Sequence, residues 1–92
     1  MNDIEEVWER IKRHAGEDFR TVNGLPFTYV VPGNFLRVTR DGNEINRSLS
    51  RTNFERAVEL MPAAGPGELK GRQGPSYTWA ILTDRRIRLS DW

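Results

Sequence analysis

Arg37, Arg40, Arg47 and Arg51 punctuate one stretch of this chain, and Ser48 and Ser50 lie among them. A guanidinium is a planar fork of N–H donors that pairs with phosphate or carboxylate. Ser50 stands where a helical pattern begins. A helix start offers unpaired backbone N–H groups and a positive dipole end, a natural place for a phosphate. Arg85, Arg86 and Arg88 could extend the same basic surface if the C-terminal segment folds back onto it. The chemistry these residues suggest is non-covalent phosphate contact: Arg37, Arg40, Arg47, Ser50, Arg51, Arg85, Arg86 and Arg88 holding a nucleic-acid backbone. Arg37 and its neighbours could instead form a solvated outer face, balanced by Glu44, Glu55 and Glu59.

A second constellation is aromatic. Tyr77 and Trp79 lie in the apolar run "SYTWAIL", between a glycine-rich loop and "DRRIR". An aromatic exposed beside arginines could stack on a base or anchor a protein interface. The alternative reading is therefore a protein–protein interaction module or regulatory subunit.

Catalytic constellations are weaker. His14 is the single histidine, near the end of a surface helix; it cannot make a zinc site without other ligands at suitable spacing, and as a general base it would need a partner and a pocket. Glu5 and Glu6 are neighbours on a helix and point apart. Glu17 and Asp18 lack further oxygen ligands nearby. The loop "GPGELKGRQGP" has no Gly-Lys-Ser/Thr at phosphate-loop spacing, although Lys70 and Arg72 could touch an anion. No serine has a GxSxG context. The expectation is a non-enzymatic domain without metal or cofactor.

The totals frame these readings. Ninety-two residues fit one domain. Cysteine is absent, which removes disulfides and thiolate chemistry and fits a reducing compartment. "MNDIEEVWERIKRH" is amphipathic and acidic rather than a secretory signal, and no apolar run approaches a membrane span. A cytoplasmic, soluble protein is expected. Net charge is only +1, but it is segregated. Residues 1–18 hold six carboxylates against three basic side chains, and residues 19–56 hold six arginines against three carboxylates. A local patch, rather than net charge, would govern affinity.

The elements that must position these residues are readable from periodicity. Ile4, Val7, Trp8 and Ile11 form one helical stripe over residues 3–14, with Asp3 as cap and Gly16 as stop. The period then changes to strands. "DFRTV", "FTYVV" and "FLRVTR" are separated by Asn23-Gly24 and Pro32-Gly33-Asn34, and Asp41-Gly42-Asn43 leads to "EIN", which can pair briefly. Pro26 marks a strand start or an edge. Phe54, Ala57, Val58 and Met61 restore helical period over 51–61, capped by Ser50 and ended by Pro62.

Residues 75–83 fit either state. The Pro75-Ser76 entry and the apolar residues on both sides of the segment favour a short helix, in which Tyr77 and Ile81 can pack while Trp79 turns outward or toward the loop. In a strand Tyr77, Trp79 and Ile81 share one face, and across the two readings Trp79 is expected to be mostly buried. "RIRL" alternates as a strand does. The predicted fold is α+β: a single small domain of helix, three-stranded antiparallel meander, helix and short C-terminal helix. The order helix, three antiparallel strands, helix resembles the topology of a double-stranded RNA-binding domain. The likeness is of topology only: that family's second helix begins with a lysine-rich cluster, and the corresponding entry here, "RSLSRTNFER", holds no lysine.

Overall fold

The computed structural model describes residues 3–92, with Asn46 and Arg47 described by backbone alone. Four helices pack on one face of a four-stranded antiparallel sheet of order β1-β2-β3-β4. The α+β class, the single meander and the helical C-terminal region are as the sequence predicts.

Helix α1 spans Ile4–Arg13, and the Asp3 carboxylate accepts from the Glu5 N–H at 2.9 Å. Val7, Trp8 and Ile11 face inward with Arg10. Strand β1 is only Phe19–Arg20, because Thr21 opens a loop closed by Thr21 N–H to the Leu25 carbonyl and Leu25 N–H to the Thr21 hydroxyl. Strand β2, Pro26–Val30, begins at the proline, where a missing donor does least harm. Strand β3 is Phe35–Arg40. Asp41 and Gly42 both have positive φ, the geometry of a two-residue hairpin turn that glycine accommodates without strain.

The sheet departs from expectation at its far edge. "EIN" is the start of strand β4, which runs from Asn43 to Ser50 in eight residues. Its register against β3 shifts between Arg37 and Thr39, so alternation is broken partway and the polar sequence hides the strand. Inward residues Phe27, Tyr29, Leu36, Val38 and Leu49 meet the helices; Val30, Arg37, Glu44 and Ser48 face outward and are exposed.

Helix α2 occupies Arg51–Val58, shorter than the predicted 51–61, and turns carry the chain on to Met61. The glycine-rich segment contains a 3₁₀ turn, Pro66–Leu69, that buries Leu69. Helix α3 is Pro75–Thr83, so the ambiguous stretch is helical. Gly74, at φ +45°, lets it start against the sheet: a Cβ there would lie 2.8 Å from Leu49 Cδ2. "RIRL" is not a strand. Asp84 caps a short helix α4, Arg85–Arg88, that buries Ile87, and a single inward residue needs only one turn.

Phe19, Phe54, Leu36, Leu69, Ile81, Leu82 and Ile87 belong to one continuous core. Tyr29 is buried within it, and its hydroxyl donates to the Ile11 carbonyl at 2.6 Å, which satisfies the one polar atom the ring carries inside. Burial holds that phenol above its ordinary pKa. Among the described residues no helix is long and apolar enough to cross a membrane.

Candidate nucleic-acid interface

The chain passes from β4 into α2 at Ser50, and the start of that helix is tied to the entry of α3 by a polar clasp. Ser50 Oγ accepts from the Asn53 N–H at 3.0 Å, as a helix cap does. The Ser50 N–H donates to Gln73 Oε1 at 2.8 Å. Asn53, buried at 4 % exposure, accepts from the Gln73 N–H at 2.6 Å and donates through Nδ2 to Thr78 Oγ1 at 3.0 Å. The Thr78 hydroxyl donates to the Gln73 carbonyl at 2.7 Å. A buried amide with its capacity filled fixes its neighbours, since breaking any one bond leaves a desolvated partner. The clasp therefore sets where Gly71, Arg72 and Gln73 lie relative to the helix.

That placement creates a shallow hollow of about 250 Å³ lined by Ser50, Thr52, Asn53, Arg56, Gly71, Arg72 and Gln73. Its lining has two guanidinium-bearing residues, hydroxyls and amides, and no carboxylate. Arg56 and Arg72 also border a second hollow on the far side, where Glu55 and Glu59 join them with Lys70. Neither arginine makes an ion pair within 4 Å among the described residues. Two guanidinium-bearing residues around a hollow without a carboxylate favour an anion on electrostatic grounds.

Of the eight residues proposed from sequence, the seven whose side chains are described are not gathered into one surface. Arg37 lies on the open face of the sheet, ion-paired with Glu44 and with its guanidinium 5.7 Å from the Phe35 ring centroid. Arg40 is half-buried and donates to the Tyr77 hydroxyl at 3.2 Å. The Arg47 side chain lies outside the described residues. Ser50 caps α2. Arg51 lines a different hollow, with Glu5, Glu9, Trp8 and Lys12, and its N–H donates to the Asn34 carbonyl at 2.9 Å. Arg85 is exposed.

Arg86 is spent on the fold. It donates to Asp84 at 2.8 and 2.9 Å, to Glu17 at 3.0 Å and to the Asp18 carbonyl at 2.7 Å, and its guanidinium sits 3.9 Å from the Phe19 centroid. Hydrogen bonding to Asp84 raises its pKa further. The carboxylates respond in the opposite sense. Burial works against ionisation of Asp84, yet the hydrogen bonds from Arg86 outweigh it and the pKa is lowered. Hydrogen bonds from His14 and then Arg86 lower the pKa of Glu17. His14 Nδ1 lies 3.0 Å from Glu17 Oε2, so the single histidine belongs to this network. Arg88 donates to the Trp92 carbonyl.

The two aromatics singled out from sequence pack against the core. Tyr77 meets Phe27 edge-on at 5.0 Å between centroids. Trp79 is half-buried, and its indole N–H donates to the Ala63 carbonyl at 2.9 Å. Trp92 closes over the core in the same way, donating to the Leu82 carbonyl at 2.8 Å.

Arg56 was missed by the sequence reading, and Arg72 entered it only as a member of a loop. Arg56 sits in the last turn of α2, where basic residues ordinarily belong to a solvated face. The two meet because the Asn53–Gln73 bonds close a span of 20 residues. Comparison of the chain with protein-family models, with curated proteins and with solved structures finds no match.

Proposed function

We propose that this protein is a non-enzymatic nucleic-acid-binding module that grips the phosphate backbone at the start of α2. The supporting observation is the acid-free hollow in which Arg56 and Arg72 flank the Ser50 cap. Arg56 and Arg72 supply charge and donor geometry; Ser50, Thr52 and the Gly71–Gln73 segment supply neutral polar lining. Arg37, in register with Ser48 two residues before the cap, could join the contact once released from its exposed ion pair with Glu44. The C-terminal arginines drop out of the proposed contact set, since Arg86 and Arg88 already hold the fold together.

A protein-partner reading has less to stand on. Tyr77 and Trp79 are turned toward the core. The exposed apolar residues Val22, Leu25, Val30, Leu60 and Leu89 belong to several separate elements, and such scattered residues are ordinary on a surface.

Fluorescence anisotropy with short labelled oligonucleotides at low salt tests the proposal. Binding is expected, and it should weaken as salt rises, with a log–log slope of about −0.7 per phosphate contacted on a single strand. Absence of binding to single strand and duplex at the lowest salt would sink it.

A further inference from the structure

The aromatic residues of this chain are unevenly placed. There are nine, and eight belong to the core or pack against it. Phe35 is the one that does neither. It opens β3 on the face turned away from the helices, since its neighbour Leu36 and then Val38 point inward. Its half-buried ring lies beside Gly33, where a Cβ would stand 3.7 Å from the ring edge, with the Arg37 guanidinium over it at 5.7 Å from the centroid. Burying a phenylalanine is among the larger single gains available to a small domain. A ring left on an open sheet face forgoes part of that gain, and the side chain over it, Arg37, is an exposed one.

Its register matters more than its exposure. Phe35 pairs directly with Ser50, the residue that caps α2 and lines the acid-free hollow. Residues directly opposite in an antiparallel pair have Cα atoms about 4.5–5.5 Å apart. Phe35 therefore lies one strand spacing from a residue that lines the hollow. Arg37, next on the same face, has a guanidinium that can cover the other side of a base or hold the following phosphate. Its present partner Glu44 is an exposed one, and exposed ion pairs exchange at little cost.

A base inside a duplex is already stacked on both faces. Only an unpaired base can offer a face to a side chain on a sheet. Resting on the phosphate-contact reading above, we infer that Phe35 is a base-stacking platform and that the ligand is a single-stranded nucleic acid. Arg56 and Arg72 hold its phosphate, and Arg37 brackets the stacked base. The arginines of the hollow select an anion, and the ring selects one that carries bases.

The test uses the full chain and three probes at low salt: a labelled single-stranded oligonucleotide, its duplex, and inorganic polyphosphate as a polyanion without bases. The single strand is expected to bind at least about tenfold more tightly than the duplex. Phe35→Ala should weaken single-strand binding about fivefold or more while leaving polyphosphate competition unchanged. Phe35→Leu, which keeps apolar bulk but has no π face, should behave like Phe35→Ala and so guards against a folding defect. Phe35→Trp should retain affinity and add a fluorescence signal quenched by the single strand but not by polyphosphate.

If Phe35→Ala and Phe35→Leu bind single strand as the parent does while Arg56→Ala with Arg72→Ala does not, the platform is refuted and phosphate contact stands. Equal affinity for duplex, or for polyphosphate, refutes it as well. No binding by any probe removes both readings.

Discussion

Arg86 and Arg56 are the same residue type in opposite circumstances. Arg86 is half-buried between Asp84, Glu17 and the Asp18 carbonyl, over the face of Phe19. Arg56 stands exposed at a hollow with no carboxylate in its lining. In the sequence, "DRRIR" is the denser cluster and looks the better phosphate site. In the fold it is the more thoroughly neutralised one. An arginine with several donors already filled must break them before it can serve a ligand, whereas a solvated fork gives up only water. Density of charge along a chain thus says less about binding than the number of acceptors already facing each guanidinium.

The largest effect expected from this contrast is on stability. Arg86→Ala removes four hydrogen bonds to charged or carbonyl oxygens and a cation–π contact, discounted for partial exposure, and should cost about 2–3 kcal/mol. For a domain of this size, calorimetry should show the melting temperature falling by roughly 10 °C. Oligonucleotide affinity at a temperature where the variant is folded should stay at the parent value. A variant as stable as the parent, with weakened binding, would reverse the comparison.

Next is the clasp that builds the open region. Asn53→Ala leaves the Gln73 N–H and the Thr78 hydroxyl short of partners and should cost about 2 kcal/mol. Amide exchange should accelerate first at Gly71–Gly74, ahead of the α1–α4 contact, if that segment is held chiefly by the clasp.

Smaller in energy, but decisive for the contrast, is the pair Arg56→Ala with Arg72→Ala. Affinity for an oligonucleotide should fall about tenfold, close to 1.4 kcal/mol, with stability within about 0.5 kcal/mol of the parent. Arg85→Ala is the matched control and should change neither.

Acid separates the regions more gently. The pKa values of Glu17 and Asp84 are lowered in the fold, so their contribution is complete above their ordinary values of 4.5 and 3.8. It is lost as the pH falls below those values and through the lowered folded ones. Denaturant midpoints recorded across this range should drop more steeply for the parent than for Arg86→Ala, which has lost the partner of Asp84 and one of the two partners of Glu17. Parallel curves would show that Arg86 does not set their titration.

The smallest effect is at the sheet face. Glu44→Gln releases Arg37 from an exposed ion pair and should raise oligonucleotide affinity by no more than about twofold, with a stability change within about 0.5 kcal/mol.

Much of the fold was legible. Ile4, Val7, Trp8 and Ile11 announce α1, and Phe54, Ala57 and Val58 announce α2, because each spacing places one stripe on one side of a helix. Asp41-Gly42 announces its hairpin because both turn positions need positive φ. Strand β4 was read too short because a register shift interrupts the alternation that identifies a strand. "RIRL" was read as a strand because four residues cannot distinguish a period of two from one of 3.6. Of the candidate site, Ser50 was legible as a cap. Arg56, Arg72 and Phe35 were not, because each looks like ordinary surface or core until its neighbours are known.

By itself, the amino-acid order determined where helices start and stop, where the chain reverses, and which side chains must turn inward, since those choices depend on residues within a few positions of one another. Only the tertiary structure decided which arginines are consumed and which remain open. Arg86 finds Glu17 at a separation of 69 residues, and Asn53 brings Gln73 across 20. A guanidinium's availability depends on acceptors brought near it by folding, and nothing in its local sequence records them.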